Sequence, residues 1–144
     1  MKSYFPDVNL WIALAYEGHQ HHVSAAAWFA GLNHASLCFC RVTQFGFLRL
    51  LTHPSVMQQD VRSQAEAWAT YDLLLQDERV SFQEESDAVG IEAALRKLTS
   101  ARHSSSKQWP DAYLVAFAQV AGLTVVSFDR GLRQMAGSRA LLLS

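Results

Sequence analysis

Tyr4-Phe5-Pro6-Asp7-Val8-Asn9-Leu10-Trp11 changes its periodicity halfway along. A short apolar run stops at one carboxylate. Leu10-Trp11-Ile12-Ala13-Leu14-Ala15-Tyr16 then continues with helical spacing. A strand that hands over to a helix in this way opens a β-α unit. In an open parallel sheet, ligands bind outside the carboxyl ends of the strands. Asp7 is therefore placed where a rigid scaffold would present it to solvent.

The same alternation runs outward from this stretch. The first helix is expected to end near Gly18, and Val23 to Leu32 repeats at helical spacing. Ser36 to Cys40 reads as a buried strand, and Val42 to Leu51 as a helix stopped by His53-Pro54. Gln58 to Leu75 reads as one long amphipathic helix. Arg79 to Gln83 alternates like a strand. Ser86 to Leu98 is helical, with Ser86 or Asp87 as its N-cap. Thr99 to Gln108 is a polar loop, after which Pro110 begins a helix that ends at Gly122. Leu123 to Phe128 is the most strand-like run and stops at Asp129. A short helix over Gly131 to Met135 and an apolar piece, Ala140 to Leu143, complete the chain. Strands alternating with helices imply a parallel sheet covered on both faces and joined by right-handed crossovers.

At 144 residues the chain is one domain in length, residues 1–144, and large enough to bury a core without staples. Only 17% of residues are charged while 50% are hydrophobic, so some apolar surface is expected to be covered by a partner or a second copy. The net charge of −1 excludes a globally basic nucleic-acid binder; any such site must be a local patch. Cys38 and Cys40 lie in an apolar run with no second ligand pair, which favours plain core thiols. No apolar run reaches the ~18 residues of a membrane span and no signal pattern opens the chain, so a soluble, cytoplasmic protein is expected. A Gly-rich phosphate loop of the Walker or dinucleotide kind is missing, which disfavours those phosphoryl-transfer classes.

Three carboxylates stand out by position. Asp7 follows the first strand and Asp129 follows the strong late strand. Asp111 lies in the first turn of the helix that enters that strand. If the two strands are neighbours, Asp7 and Asp129 converge. Converging carboxylates repel and raise one another's pKa unless a cation sits among them. All-oxygen ligands suit Mg²⁺ or Mn²⁺. Such an ion can activate water against a phosphodiester. Each acid taken alone is equally explained as a helix-capping or first-turn residue.

With these residues in view, the chain resembles the PIN-domain family, and in particular the VapC toxins of bacterial toxin–antitoxin pairs. The likeness rests on Asp7-Val8-Asn9, on Pro110-Asp111-Ala112-Tyr113-Leu114-Val115-Ala116 and on Leu123-Thr124-Val125-Val126-Ser127-Phe128-Asp129. His21-His22 with Trp28-Phe29, and Thr43-Gln44-Phe45-Gly46-Phe47-Leu48-Arg49, look like a subgroup of those toxins. The resemblance implies a three-layer α/β/α fold with a central parallel sheet. It implies an endoribonuclease site dependent on Mg²⁺ or Mn²⁺ and held by Asp7, Asp111 and Asp129. It also implies a cognate VapB-type antitoxin and a homodimer.

One position departs from the family pattern. A glutamate is expected in the helix after the second strand, and Gln44 stands there. From Gly18 to Gln59 no Asp or Glu replaces it. Gln44 offers a carbonyl oxygen without charge, or is a helix-surface amide. The charge lost there motivates a second reading, a catalytically weak PIN-like module that binds RNA. By the same matching Asn9 supports Asp7 or caps the first helix. Ser127 reaches the site through its hydroxyl or merely shares a strand face with Asp129, and Thr43 supports it or merely starts a helix. Arg49 contacts phosphate, pairs with a carboxylate or is solvated. The acid-free stretch carries Arg41, Arg49, His19, His21, His22, His34 and His53, and would form a basic rim for RNA. Arg102, His103 and Lys107 would form the other rim. The histidines lack a Cys or acid to complete a zinc set.

Overall fold

A computed structural model describes residues 1–144. Five parallel strands form one sheet in the order β3-β2-β1-β4-β5. The strands are β1 (Lys2–Pro6), β2 (Ala35–Phe39), β3 (Val80–Phe82), β4 (Thr124–Ser127) and β5 (Ala140–Leu142). From β1 the chain steps outward to β2 and β3, then crosses back to β4 on the other side of β1. That reversal puts the topological switch point between β1 and β4, where open α/β sheets hold their ligands.

Alternation along the strands sorts the core into two layers. Tyr4, Leu37, Phe39, Val80 and Val126 point to one face, under α1 (Val8–Ala15), α2 (His22–Ala30), α3 (Arg41–Leu51) and α5 (Gln64–Leu75). Trp11 of α1 stacks on Phe39 there, with ring centroids 3.9 Å apart. Phe5, Cys38, Cys40, Leu123 and Val125 point to the opposite face. They lie under α6 (Ala88–Leu98), α7 (Trp109–Ala121) and α8 (Arg130–Ala136). The three-layer α/β/α arrangement expected from the sequence is the one formed. Cys38 and Cys40 are buried free thiols, as their apolar surroundings suggested. No helix is long and apolar enough to cross a membrane.

Three element boundaries differ from the sequence reading. The helix expected over Gln58 to Leu75 is broken. A single turn, α4 (Pro54–Met57), runs into a 3₁₀ turn at Gln58–Asp60, and α5 starts only at Gln64. Gln58 has a φ of 52°, which no continuous helix accommodates. Ser63 and Glu66 then close a capping box that fixes the later start. The first helix ends at Ala15, before Gly18. A Cβ at Gly18 would meet only the outer atoms of the Tyr16 ring, whose hydroxyl bonds Asp60. Finally, Ala140 to Leu142 is a full parallel strand, paired with Val125 to Ser127. The late helix does end where the sequence placed it, at Gly122 with a φ of 71°.

Candidate functional site

The register of β1 against β4 builds the site. Tyr4 pairs with Thr124 and Pro6 with Val126, and the Asp7 amide continues the ladder by donating to the Val126 carbonyl at 3.0 Å. Asp7 and Ser127 therefore leave the sheet side by side. The Ser127 hydroxyl donates to Asp7 Oδ2 at 2.5 Å, and the Leu10 amide donates to Asp7 Oδ1 at 2.9 Å. The second bond makes Asp7, not Asn9, the N-cap of α1. Asn9 is exposed on the first turn. The Ser127 oxygen in turn accepts from the Asp129 amide at 2.8 Å. One hydroxyl thus joins the ends of both strands.

Asp7 is only 6% exposed. Burial pushes its carboxyl up from 3.8 to about 6, opposed by the Ser127 and Leu10 hydrogen bonds, and the charges of Asp111 and Asp129 raise it further. Asp111, half-buried in the first turn of α7, is also raised, first by burial and then by Asp129. The charges of Asp111 and Asp129 thus act on Asp7, and that of Asp129 on Asp111, although the three carboxylates do not close into one group. Asp129 is exposed and caps α8, accepting from the Gly131 and Leu132 amides.

This set suits a small divalent cation in its chemistry: oxygen donors only, with mutual repulsion that a cation would relieve. The set is also open. No three His, Cys, Asp or Glu side chains stand close enough together to enclose an ion. Asp7 and Asp129 are spent partly on backbone amides, so each has only its remaining lone pairs to offer.

Gln44 is buried, not on the helix surface. Its Oε1 accepts from Arg41 Nη1 at 2.7 Å, and its side chain lies beside the Tyr71 hydroxyl. Thr43 is a helix-start residue: its hydroxyl accepts from the Cys40 amide at 2.9 Å. Arg49 is exposed and eight residues into α3, about 12 Å along an axis that leads away from the strand ends.

The basic rim expected from the acid-free stretch is only partly assembled. Arg41 follows β2 after Cys40, at the site end of the sheet. His21 stacks on Phe128, between Ser127 and Asp129, with ring centroids 4.2 Å apart. His34 sits at the opposite end, where its carbonyl accepts from Lys2 at the start of β1. His53 lies beyond the far end of α3 and caps α4. Arg102, His103 and Lys107 belong to the segment leading into α7, whose wall borders a pocket of about 330 Å³. Arg41 is the residue whose importance the sequence understated; its i, i+3 spacing to Gln44 was the available signal.

Residues 4–138 match the PIN domain family. Ribonuclease VapC41 of Mycobacterium tuberculosis is 37% identical over 142 residues, covering 96% of this chain and 97% of that protein. Ribonuclease VapC38 of the same organism is 29% identical, covering 92% and 89%. Among solved structures, M. tuberculosis VapC20, described as a Sarcin-Ricin loop cleaving toxin, superposes with a TM-score of 0.67 at 16% identity, covering 98% and 99%. VapBC2 of Rickettsia felis, bound to a DNA fragment from its promoter, has a TM-score of 0.67 at 8% identity, covering 99% of both chains. At these identities the structures speak to the fold alone.

Proposed function

The chain belongs to the PIN-domain family, and from that premise we propose that it is a VapC-type toxin, an endoribonuclease that hydrolyses RNA phosphodiester bonds. The observation that carries the reading is the joining of Asp7 and Asp129 through Ser127 at the β1–β4 switch point. Full-length similarity to a protein named as a ribonuclease supports it. We take residues 1–144 as one PIN-like domain.

Asp7, Asp111 and Asp129 are the residues we assign to Mg²⁺ or Mn²⁺, with Gln44 as a neutral member of the group. When bound, such an ion supplies a lowered water pKa and positive charge against the phosphate. The chain's own residues do the rest. Ser127 fixes the Asp7 carboxylate rotamer and holds the start of α8 in place. The Leu10 amide keeps the other Asp7 oxygen turned toward α1. Asp129, exposed at the rim, remains open to solvent and substrate.

The partners follow from the same reading. A toxin of this kind requires a VapB-type antitoxin, acts on RNA in the cytoplasm and pairs with a second copy. Neighbouring folds solved as toxin–antitoxin complexes support the first, including FitAB bound to an IR36 DNA fragment at a TM-score of 0.56. Exposed apolar side chains, among them Phe45 at 61% and Trp68 at 46%, are consistent with covered surface. A purified chain that is monomeric and harmless on expression without any partner would count against both.

The test is Asp7→Asn. It should abolish growth inhibition and RNA cleavage while leaving circular dichroism unchanged. Retained cleavage, with metal-free controls, would overturn the assignment. The neutral Gln44, tied to Arg41, favours the second reading of a weakly catalytic RNA-binding module. Calorimetry separates the two. RNA binding with no uptake of millimolar Mg²⁺ or Mn²⁺ would favour the module.

A further inference from the structure

Arg41 is exposed at the first position of α3, two residues past the end of β2, which lies beside β1. In the register of Tyr4 with Leu37, the chain leaves β2 level with the place where it leaves β1 for Asp7. Two contacts hold the guanidinium. Nη1 donates to Gln44 Oε1 at 2.7 Å, and the group lies 4.6 Å from the Phe82 ring centroid. Its remaining N–H donors are uncommitted. The chain's two ion pairs, Arg79–Asp77 and Arg96–Glu92, leave Arg41 without a carboxylate partner. Glu84 and Glu85 border the same pocket of about 180 Å³, but Glu85 is taken by the Tyr113 hydroxyl. That pocket spans from Arg41 to Tyr113, two residues past Asp111.

A cation in the first turn of a helix opposes the helix dipole. α3 has no acid there to compensate. A solvated arginine would leave such a place; this one is fixed by an amide that orients it without neutralising it. We propose that Arg41 is a phosphate-binding residue of the ribonuclease site, aimed by the Gln44 amide and the Phe82 ring at the RNA backbone where it enters between α3 and α7. This rests on the ribonuclease reading above. The planar guanidinium offers two parallel donors to phosphate oxygens, and a carboxylate at position 44 would compete for the same donors.

The experiment measures binding of a fluorescent single-stranded 12-mer RNA by the full chain in EDTA, so that cleavage does not intervene. Affinity is read at several salt concentrations. One lost contact to a single-strand phosphate lowers the log–log salt slope by about 0.7, or roughly fivefold in affinity near 0.1 M salt. Arg41→Ala should show that change. Arg41→Lys should keep the slope but bind more weakly. Gln44→Glu should shift the slope toward Arg41→Ala, because it neutralises the guanidinium in place. Lost Phe82 packing alone would leave the slope unmoved. An unchanged slope in Arg41→Ala overturns the proposal. If the parent chain cleaves RNA and Arg41→Ala binds like the parent, only the role of Arg41 falls. If the parent binds RNA with an Arg41-dependent slope but cleaves none with metal restored, the enzyme reading falls and Arg41 stands. No RNA binding by the folded parent overturns both.

Discussion

Ser127 and Asp7, 120 residues apart in the chain, are joined by a 2.5 Å hydrogen bond in which the serine hydroxyl donates to the carboxylate. The bond exists because β1 and β4 are neighbours and both end at the same level. It gives one small side chain three duties: it orients Asp7, lowers the carboxyl that burial raises, and accepts from the Asp129 amide.

Ser127→Ala should therefore cost more than an ordinary surface serine. It strips a buried carboxylate of its donor and the Asp129 amide of its acceptor, at about 1–3 kcal/mol. Burial then raises the Asp7 carboxyl further, since the Ser127 bond is the first of the effects that lower it. Urea denaturation checks the stability, and ¹³C-detected titration of the Asp7 carboxyl checks the direction of the shift. An unchanged Asp7 titration would mean that the hydroxyl does not govern it.

Metal-free protein should lose stability as pH rises. Folded Asp7 keeps its proton to about pH 6, whereas the unfolded carboxyl releases it near 3.8. Between those values the folded state binds more protons, so stability is full below 3.8 and declines through about 6. The group is buried, and the difference corresponds to about 3 kcal/mol. Asp7→Asn should flatten this slope and, in EDTA at pH 7.5, melt no lower than the parent chain. Thermal melts in EDTA from pH 4.5 to 7.5 decide it; a parent chain whose stability rises across that range contradicts the buried-charge account.

How much of this was legible in the residues differs from element to element. The strand–helix alternation and the carboxylates at strand ends were readable, because side-chain period and turn chemistry are local. Convergence of Asp7 with Asp129 was conditional on strand order, which no local pattern encodes. The burial of Asp7 and its bond to Ser127 follow from a register between segments far apart in sequence. Asn9 looked as good a cap as Asp7, since both precede the apolar face of α1; backbone geometry chose Asp7. The broken helix after His53 was hidden because Gln58 to Leu75 contains no Gly or Pro to mark the break. The choice between a site oxygen and a helix-surface amide for Gln44 stayed open because its burial depends on Tyr71, brought in by α5.

Asp129 combines a helix cap with its assigned role in the site, and two substitutions should separate these. Asp129→Ala removes the acceptor for the Gly131 and Leu132 amides and should cost about 1 kcal/mol along with cleavage. Asp129→Asn keeps a capping oxygen and should melt within about 0.5 kcal/mol of the parent while still losing cleavage. Equal activity in Asp129→Asn and the parent would remove Asp129 from the proposed ligand set and leave it a cap.

Divalent cation and proton should compete for the same carboxylates. Asp7 and Asp111 are both raised, and Asp129 contributes charge to each. An ion held by them must displace a proton near neutral pH, so its binding should strengthen with rising pH and release protons. Adding millimolar Mn²⁺ should then raise the melting temperature more at pH 7.5 than at pH 5.5, opposite in sign to the metal-free trend. Asp111→Asn should reduce that metal-induced shift. It should change the metal-free melting temperature little, because it removes a charge that burial and Asp129 already disfavour. Melts with and without Mn²⁺ at the two pH values, in parent and Asp111→Asn, supply every comparison. A metal shift equal at both pH values would place the ion elsewhere than among these acids.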